Sequence, residues 1–288
     1  MTDYTLPGDW PDADLSRFVD AAGLRWHVQI RGTGPDLLLL HGTGASSHSW
    51  IPMARLLQSD FRVITIDLPG QGFTQLAPAA QCSLSGMSQA IGGLLAVLDA
   101  DPKILVGHSA GAAIAATLCL RGSIDAKAVV SVNGAMLPFG RAAAPVFSKA
   151  AQLLAASPVF TQLVALHAVP RKPVERMLRQ TGSNTPPEMI RCYRQLLGSP
   201  RHVAATLRMM ANWDLSQLEI NLDRLNPELC FLVCEQDAVV SPAQGRELAR
   251  RLPRSTLHTV AGLGHLGHEE KPAWFAQHIT DMAGALNL

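Results

Sequence analysis

Three side chains able to split an ester-like bond are spread along this 288-residue chain: a serine, an aspartate and a histidine. Ser109 sits in Val106-Gly107-His108-Ser109-Ala110-Gly111-Ala112, straight after the apolar residues Ile104-Leu105-Val106. A G-x-S-x-G pattern in that context predicts a strand that ends, a tight turn that lifts the hydroxyl, and a helix that begins. Glycines two residues either side of the serine keep such a turn free of collisions. The Ala-rich run from Ala110 to Cys119 fits the helix, and its N-terminus favours an anion forming beside the serine. The pattern alone is common, so its partners decide its meaning.

Residues 229–233 read as a buried strand, with Asp237 after a short polar stretch, and Ser255–Val260 read as another, with His265 after Ala261-Gly262-Leu263-Gly264. Ser109 is then the expected nucleophile, His265 the base that takes and returns its proton, and Asp237 the acid that fixes the imidazole's tautomer. His268 is the rival base, but His265 is nearer the strand end and framed by Gly264; Asp67 is the rival acid, but it precedes the serine. His41-Gly42-Thr43-Gly44 follows the apolar run 37–40 and predicts a turn that aims backbone N–H groups at a developing oxyanion. Thr43 and Ala110 are the expected donors, ahead of Gly44. His48 and Trp50 lie just beyond and are expected to line the pocket, with packing as the alternative reading; His108 is expected to be a structural part of the elbow.

The elements that must position these groups follow from the pattern. Residues 17–30 read as a hairpin around Ala22-Gly23. Strand candidates at 37–40, 62–67, 103–106 and Ala128–Val132 alternate with helix candidates at 85–98 and 110–119. Such alternation predicts an α/β fold: a mainly parallel sheet with helices on both faces. After Asn133 the alternation lapses into short helical stretches broken by Pro138, Pro145, Pro158, Pro170, Pro173, Pro186 and Pro200, and resumes near Leu229. The expected organisation is a core over 1–133, a helical cap over 134–213 inserted after the sixth strand, and the rest of the core over 214–288.

Composition is that of a folded enzyme, with 48% apolar and 16% charged residues. The first sixteen residues have no basic n-region and no apolar core, so no secretory signal is expected. No run approaches the roughly 20 apolar residues of a membrane helix. Five cysteines, odd in number and without metal-site spacing, fit a reducing cytoplasm. Cys230 and Cys234, four apart on one strand, are expected to be core thiols. The histidines form no convincing ligand set, so no metal or cofactor is expected. The basic residues lack any nucleic-acid recognition motif, so nucleic acid is not an expected partner.

The serine–acid–histidine order and the His41-Gly42-Thr43-Gly44 turn resemble the α/β-hydrolase superfamily, from about Arg17 to the C-terminus. More narrowly, the chain resembles the magnesium-chelatase accessory proteins found with bacteriochlorophyll biosynthesis genes. The residues carrying that likeness are His41 to Trp50, Gly107 to Ala113, Asn133 to Gly140, Thr181-Gly182-Ser183, Asn212 to Leu215 and Gly262 to Glu270. Gln71 departs from the broad superfamily, where histidine is frequent. The resemblance implies photosynthetic pigment synthesis, a porphyrin or its ester as the small-molecule substrate, and magnesium-chelatase subunits as partners. Serine at 109 speaks against dehalogenase and epoxide-hydrolase chemistry, which would need aspartate there. A non-catalytic accessory protein that binds a porphyrin is the alternative.

Charge bears on the cap. Residues 134–213 hold ten basic and two acidic residues, while the whole chain is only +1. The basic side chains are interspersed with Phe139, Phe147, Phe160, Met177, Met189, Met209, Met210 and Trp213. An apolar pocket rimmed by cations suits a flat molecule with carboxylates, and Phe139, Met210 and Trp213 are the expected lining. A basic amphipathic surface would suit an anionic membrane or an acidic partner instead. Solvated arginines outside and packed methionines inside is the third reading.

Overall fold

A computed structural model describes residues 6–138, 157–168 and 170–288. Eight strands form one sheet: β1 Ser16–Ala21, β2 Leu24–Arg31, β3 Asp36–Leu40, β4 Arg62–Ile66, β5 Ile104–His108, β6 Ala128–Val132, β7 Glu228–Cys234 and β8 Ser255–Val260. Their spatial order is β1-β2-β4-β3-β5-β6-β7-β8. β1 and β2 are antiparallel and β2 meets β4 antiparallel; every pairing from β4 across to β8 is parallel. The hairpin turns through Ala22 and Gly23, both at positive φ (50° and 76°), the two-residue geometry that matches strand twist.

Side-chain alternation divides the core. Leu38, Leu40, Leu105, Val129, Phe231 and Val233 face one side and pack on helices Leu84–Val97 and Ala110–Leu120. Leu37, Leu39, Val106, Val130, Cys230 and Leu232 face the other and pack on helices Ile51–Leu57 and Pro272–Ala285. Strands covered on both faces read as unbroken apolar runs because both sets of alternate residues are buried. Each parallel strand delivers its C-terminal end, and the loop after it, to the same edge of the sheet.

Between β6 and β7 lie helices Pro158–Ala168, Arg171–Arg179, Pro187–Leu197 and Pro200–Ala211. The prolines punctuate these helices rather than kink them. Pro187 and Pro200 stand in first turns, where the missing N–H leaves no bond unmade. No described helix is long and apolar enough to cross a membrane.

All five cysteines are free. Cys230 and Cys234 share the apolar cluster on one face of β7. Burial pushes the thiols of Cys119, Cys192 and Cys234 up to about 12 and that of Cys230 up to about 11, and it raises Cys82 as well.

Candidate active site

Ser109 is the residue between β5 and helix Ala110–Leu120, at φ 52° and ψ −118°. A side chain in that region costs on the order of 1–3 kcal/mol and persists only where its surroundings hold it. Here they do: the Ser109 N–H donates to the Val132 carbonyl at 3.0 Å, and its own carbonyl accepts from Ala112 (3.1 Å) and Ala135 (3.0 Å). The flanking glycines are needed for contact: a Cβ on Gly107 would lie 2.3 Å from the Ala112 nitrogen, and one on Gly111 2.1 Å from the Leu40 oxygen.

His265 and Asp237 come from the loops after β8 and β7. Their side chains meet at 2.7 Å, Nδ1 to Oδ2, and both are buried. The other oxygen of Asp237 accepts the N–H groups of Val239 (2.8 Å) and Val240 (2.9 Å), which fixes the carboxylate plane. An Nδ1–H held by a carboxylate leaves Nε2 as the ring's proton acceptor. The His265 carbonyl accepts from His108 Nε2 at 3.0 Å, and the two rings lie 4.6 Å apart, so the elbow and the histidine loop are in direct contact. Among the described residues the Ser109 hydroxyl makes no hydrogen bond. Such contacts often tighten only when substrate is bound.

The rivals are engaged elsewhere. His268 is buried against His108 at 4.4 Å and bonded through Nε2 to Ser49 Oγ at 2.8 Å; burial, with His265 and His48 nearby, pushes its pKa down to about 3. Asp67 is fully buried and bonded to His27 Nδ1 and to the N–H groups of Ser47 and Phe73. Burial would raise its pKa, but the His27 and His41 rings and these hydrogen bonds hold it well below the carboxylate range.

The turn after β3 adjoins the helical segment. The Gly44 N–H is already engaged, donating to Gln71 Oε1 at 2.7 Å, while the neighbouring Thr43 is exposed. The Ala110 amide is at the first position of its helix, where no intrahelical acceptor exists. Gln71, where the superfamily often has histidine, therefore braces this turn, and its Nε2 reaches Met209 Sδ at 3.0 Å. His202 continues the brace: Nδ1 accepts the Gly72 N–H at 3.0 Å and Nε2 contacts the Gly44 carbonyl at 3.2 Å.

Several expected pocket residues need correction. His48 and Trp50 have no solvent exposure. His48 packs edge-on against Trp10 and Tyr193, and Trp50 lies in the core cluster beside His268. Met210 is 52% exposed, whereas Met209 is buried and its sulfur lies 3.6 Å from Thr43 Oγ1. One residue along a helix is a 100° turn, and packing selects the other methionine. Trp213 is partly buried against the main core. Phe139 lies outside the described residues.

Other residues hold the site without being evident in the sequence. The Thr181 carbonyl accepts both the His265 N–H (3.1 Å) and the Ala238 N–H beside Asp237 (3.2 Å). Ser183 Oγ accepts the Leu266 N–H at 2.8 Å. Asn133, at φ 45°, donates to the His265 carbonyl at 2.9 Å and accepts from Cys234 N–H at 2.8 Å. An Asn just past a strand tolerates that backbone and offers both hydrogen-bonding roles, which is the one available signal. Glu269 is buried beneath the site and accepts from Tyr193 Oη (2.7 Å) and Ser49 Oγ (2.5 Å); burial is the main cause of a pKa pushed up to about 7. Among the described residues no group of three or more His, Cys, Asp or Glu is placed to hold a metal ion.

Comparison with known proteins agrees with this architecture. The model of the alpha/beta hydrolase family matches residues 37–278. A magnesium-chelatase 30 kDa subunit of Rhodobacter capsulatus is 35% identical over 271 residues, covering 93% of this chain and 94% of its own. A pimeloyl-(acyl-carrier protein) methyl ester esterase of Vibrio atlanticus is 29% identical over 269 residues, covering 90% and 98%. Among solved structures, an esterase of Thermogutta terrifontis superposes with a TM-score of 0.74 at 24% identity, covering 95% of this chain and 99% of its own. An alpha/beta hydrolase fold protein of Burkholderia ambifaria gives 0.78, also at 24%, covering 93% and 98%. The chain belongs to the alpha/beta hydrolase family, and its relatives support a hydrolase-type enzyme.

Proposed function

With that membership as premise, we propose that the chain is a serine hydrolase acting through an acyl-serine intermediate on an apolar, ester-like substrate. The observation that carries this reading is the buried 2.7 Å pair of His265 and Asp237 set against the strained elbow of Ser109. His265 Nε2 takes the proton of the Ser109 hydroxyl as its oxygen attacks the carbonyl carbon. Asp237 stabilises the imidazolium that results. The N–H groups of Thr43 and Ala110 receive the oxyanion. His265 then returns the proton to the leaving oxygen, and water repeats the sequence on the acyl-serine to regenerate Ser109.

The described helices between Pro158 and Ala211 serve as the cap over this site. Met209, rather than His48 or Trp50, is the apolar side chain beside the oxyanion turn. Kinship to a protein named as a magnesium-chelatase subunit supports a tetrapyrrole or its ester as substrate, in bacteriochlorophyll synthesis, and five free cysteines fit a reducing cytoplasm. The test is the intact mass of the purified chain after incubation with a fluorophosphonate, beside Ser109→Ala. One adduct on the wild type and none on the variant is the expected outcome; none on either would remove the hydrolase reading.

The same kinship favours a second reading: an accessory protein that holds a porphyrin without turnover. Protoporphyrin binding that survives Ser109→Ala, in a chain inert to the fluorophosphonate, would select it.

A further inference from the structure

Helix Pro158–Ala168 is turned the opposite way from an ordinary core helix. Its small residues Thr161, Ala165 and Ala168 are buried. Three of its large aliphatic residues, Val159, Leu163 and Leu166, are 70%, 60% and 56% exposed, while Val164 is half-buried. At about 100° per residue these three fall within roughly 60° of one another, a stripe about 10 Å long facing solvent. Exposed aliphatic residues scattered singly are ordinary; a continuous stripe on one helix face marks an interaction surface.

The cations beside it are of one kind. Lys172, Arg176 and Arg179 on the next helix are exposed and form no ion pair among the described residues, and Met177 stands exposed among them. Other arginines of the segment are engaged: Arg171 with Glu175, Arg191 with Asp9, and Arg208 with the Ala77 carbonyl. Between the two helices lies a cavity of about 440 Å³, with Val164, Ala168, Val174 and Leu197 in its walls and Lys172 and Arg176 among its lining residues.

We propose that this face of the molecule, the Val159–Leu163–Leu166 stripe with Lys172, Arg176 and Arg179, docks on an anionic lipid surface. Aliphatic side chains on one helix face with flanking cations form the pattern that lies in a membrane interface, apolar face down and cations at the headgroups. The inter-helix cavity gives an acyl chain a place to lie with its phosphate against Lys172 and Arg176. A second copy of the chain is disfavoured by charge, since residues 134–213 carry ten cations against two anions and would face their like. The composition of the patch also differs from a protein-binding core, which favours aromatic residues and disfavours lysine. This docking is independent of whether Ser109 turns over.

The experiment is co-sedimentation of the full chain with vesicles of POPC alone and of POPC mixed with POPG. Expected is partition at least tenfold stronger into the POPG vesicles, weakening as salt is added. Leu163→Asp with Leu166→Asp should lower that partition at least tenfold at an unchanged melting temperature. Lys172→Gln and Arg176→Gln should each lower it about fivefold. Equal or no partition into the two vesicles overturns the proposal, as does undiminished POPG binding by the Leu163/Leu166 variant. Concentration-dependent self-association on size exclusion that the same variant abolishes would also overturn it, and would assign the face to a second copy.

Discussion

On the sheet side of the site, Ser109, Asp237 and His265 owe their positions to backbone: the Val132 carbonyl, the Val239 and Val240 amides and the Thr181 carbonyl hold the three loops. On the helix side, the Thr181 carbonyl apart, the links are side chains, and they are uneven. Helix Pro200–Ala211 is tied down by His202, Met209, Arg201 and Arg208, each reaching the loops after β3 and β4. Helix Pro158–Ala168 buries Thr161, Ala165 and Ala168, half-buries Phe160 and Val164, and leaves Val159, Leu163 and Leu166 in water. The inner loops are held rigidly, and the outer helix leaves side chains unengaged. A catalytic group has to be held within a fraction of an ångström, which backbone hydrogen bonds at strand ends achieve. A surface that meets a partner needs exposed, unengaged groups instead.

Asp237→Asn strikes the sheet side hardest. It keeps an acceptor for Val239 and Val240 but favours the wrong imidazole tautomer. Turnover of an activated ester should fall about ten-thousand-fold, while the melting temperature, read by circular dichroism, stays close to the wild type. A comparable loss of folding would show that the pair is structural first.

Glu269 joins the two sides, standing after β8 and accepting from Tyr193 of helix Pro187–Leu197. Its pKa is raised from 4.5 to about 7, chiefly by burial, so the folded chain retains a proton that the unfolded chain has lost. The stabilisation is full below pH 4.5 and is lost as pH rises to 7. Glu269→Gln removes this dependence, and above pH 7 it should be the more stable protein by up to about 3 kcal/mol in urea titrations. The buried histidines act in the opposite sense. Burial lowers His48 and His268 to about 3 and His202 to about 4, so their contribution is present above pH 6.5 and lost on acidification. In the Gln variant that acid loss should appear unopposed; identical pH profiles would mean Glu269 titrates normally.

His202→Ala breaks the tie of helix Pro200–Ala211 to the Gly44 and Gly72 backbone. An N–H left unpaired there should cost about 2 kcal/mol of stability and slow fluorophosphonate labelling through a looser oxyanion turn. The smallest effect is expected from Leu163→Ser, within about 0.5 kcal/mol in the same urea titration. A larger loss would show that the outer helix is packed as firmly as the inner one.

The middle of the sheet was legible because its central strands are buried on both faces, so runs such as Asp36–Leu40 and Ile104–His108 need no phase information. The hairpin was legible from Ala22-Gly23. The strand ends bearing Ser109, Asp237 and His265 follow from those runs. Helix phase was not legible. Met209 and Met210 are chemically the same, and only packing against Gln71 and Thr43 distinguishes them. His48 and Trp50 follow the His41–Gly44 turn in sequence, yet the helical turn they occupy directs them into the core. Thr181 works through its carbonyl, which every residue possesses, so no side-chain pattern could announce it. Nor did the count of cations reveal which of them are engaged; that depends on neighbours distant in sequence.

The five cysteines give the chain an unplanned convenience. With thiols at 11 to 12 for four of them and raised for the fifth, about one in ten thousand or fewer of those four is ionised at neutral pH, so maleimide dyes find almost nothing to modify. A single exposed cysteine introduced as Leu163→Cys would carry an environment-sensitive fluorophore at one address. Its emission would then record, without removing a native residue elsewhere, when the outer helix leaves water.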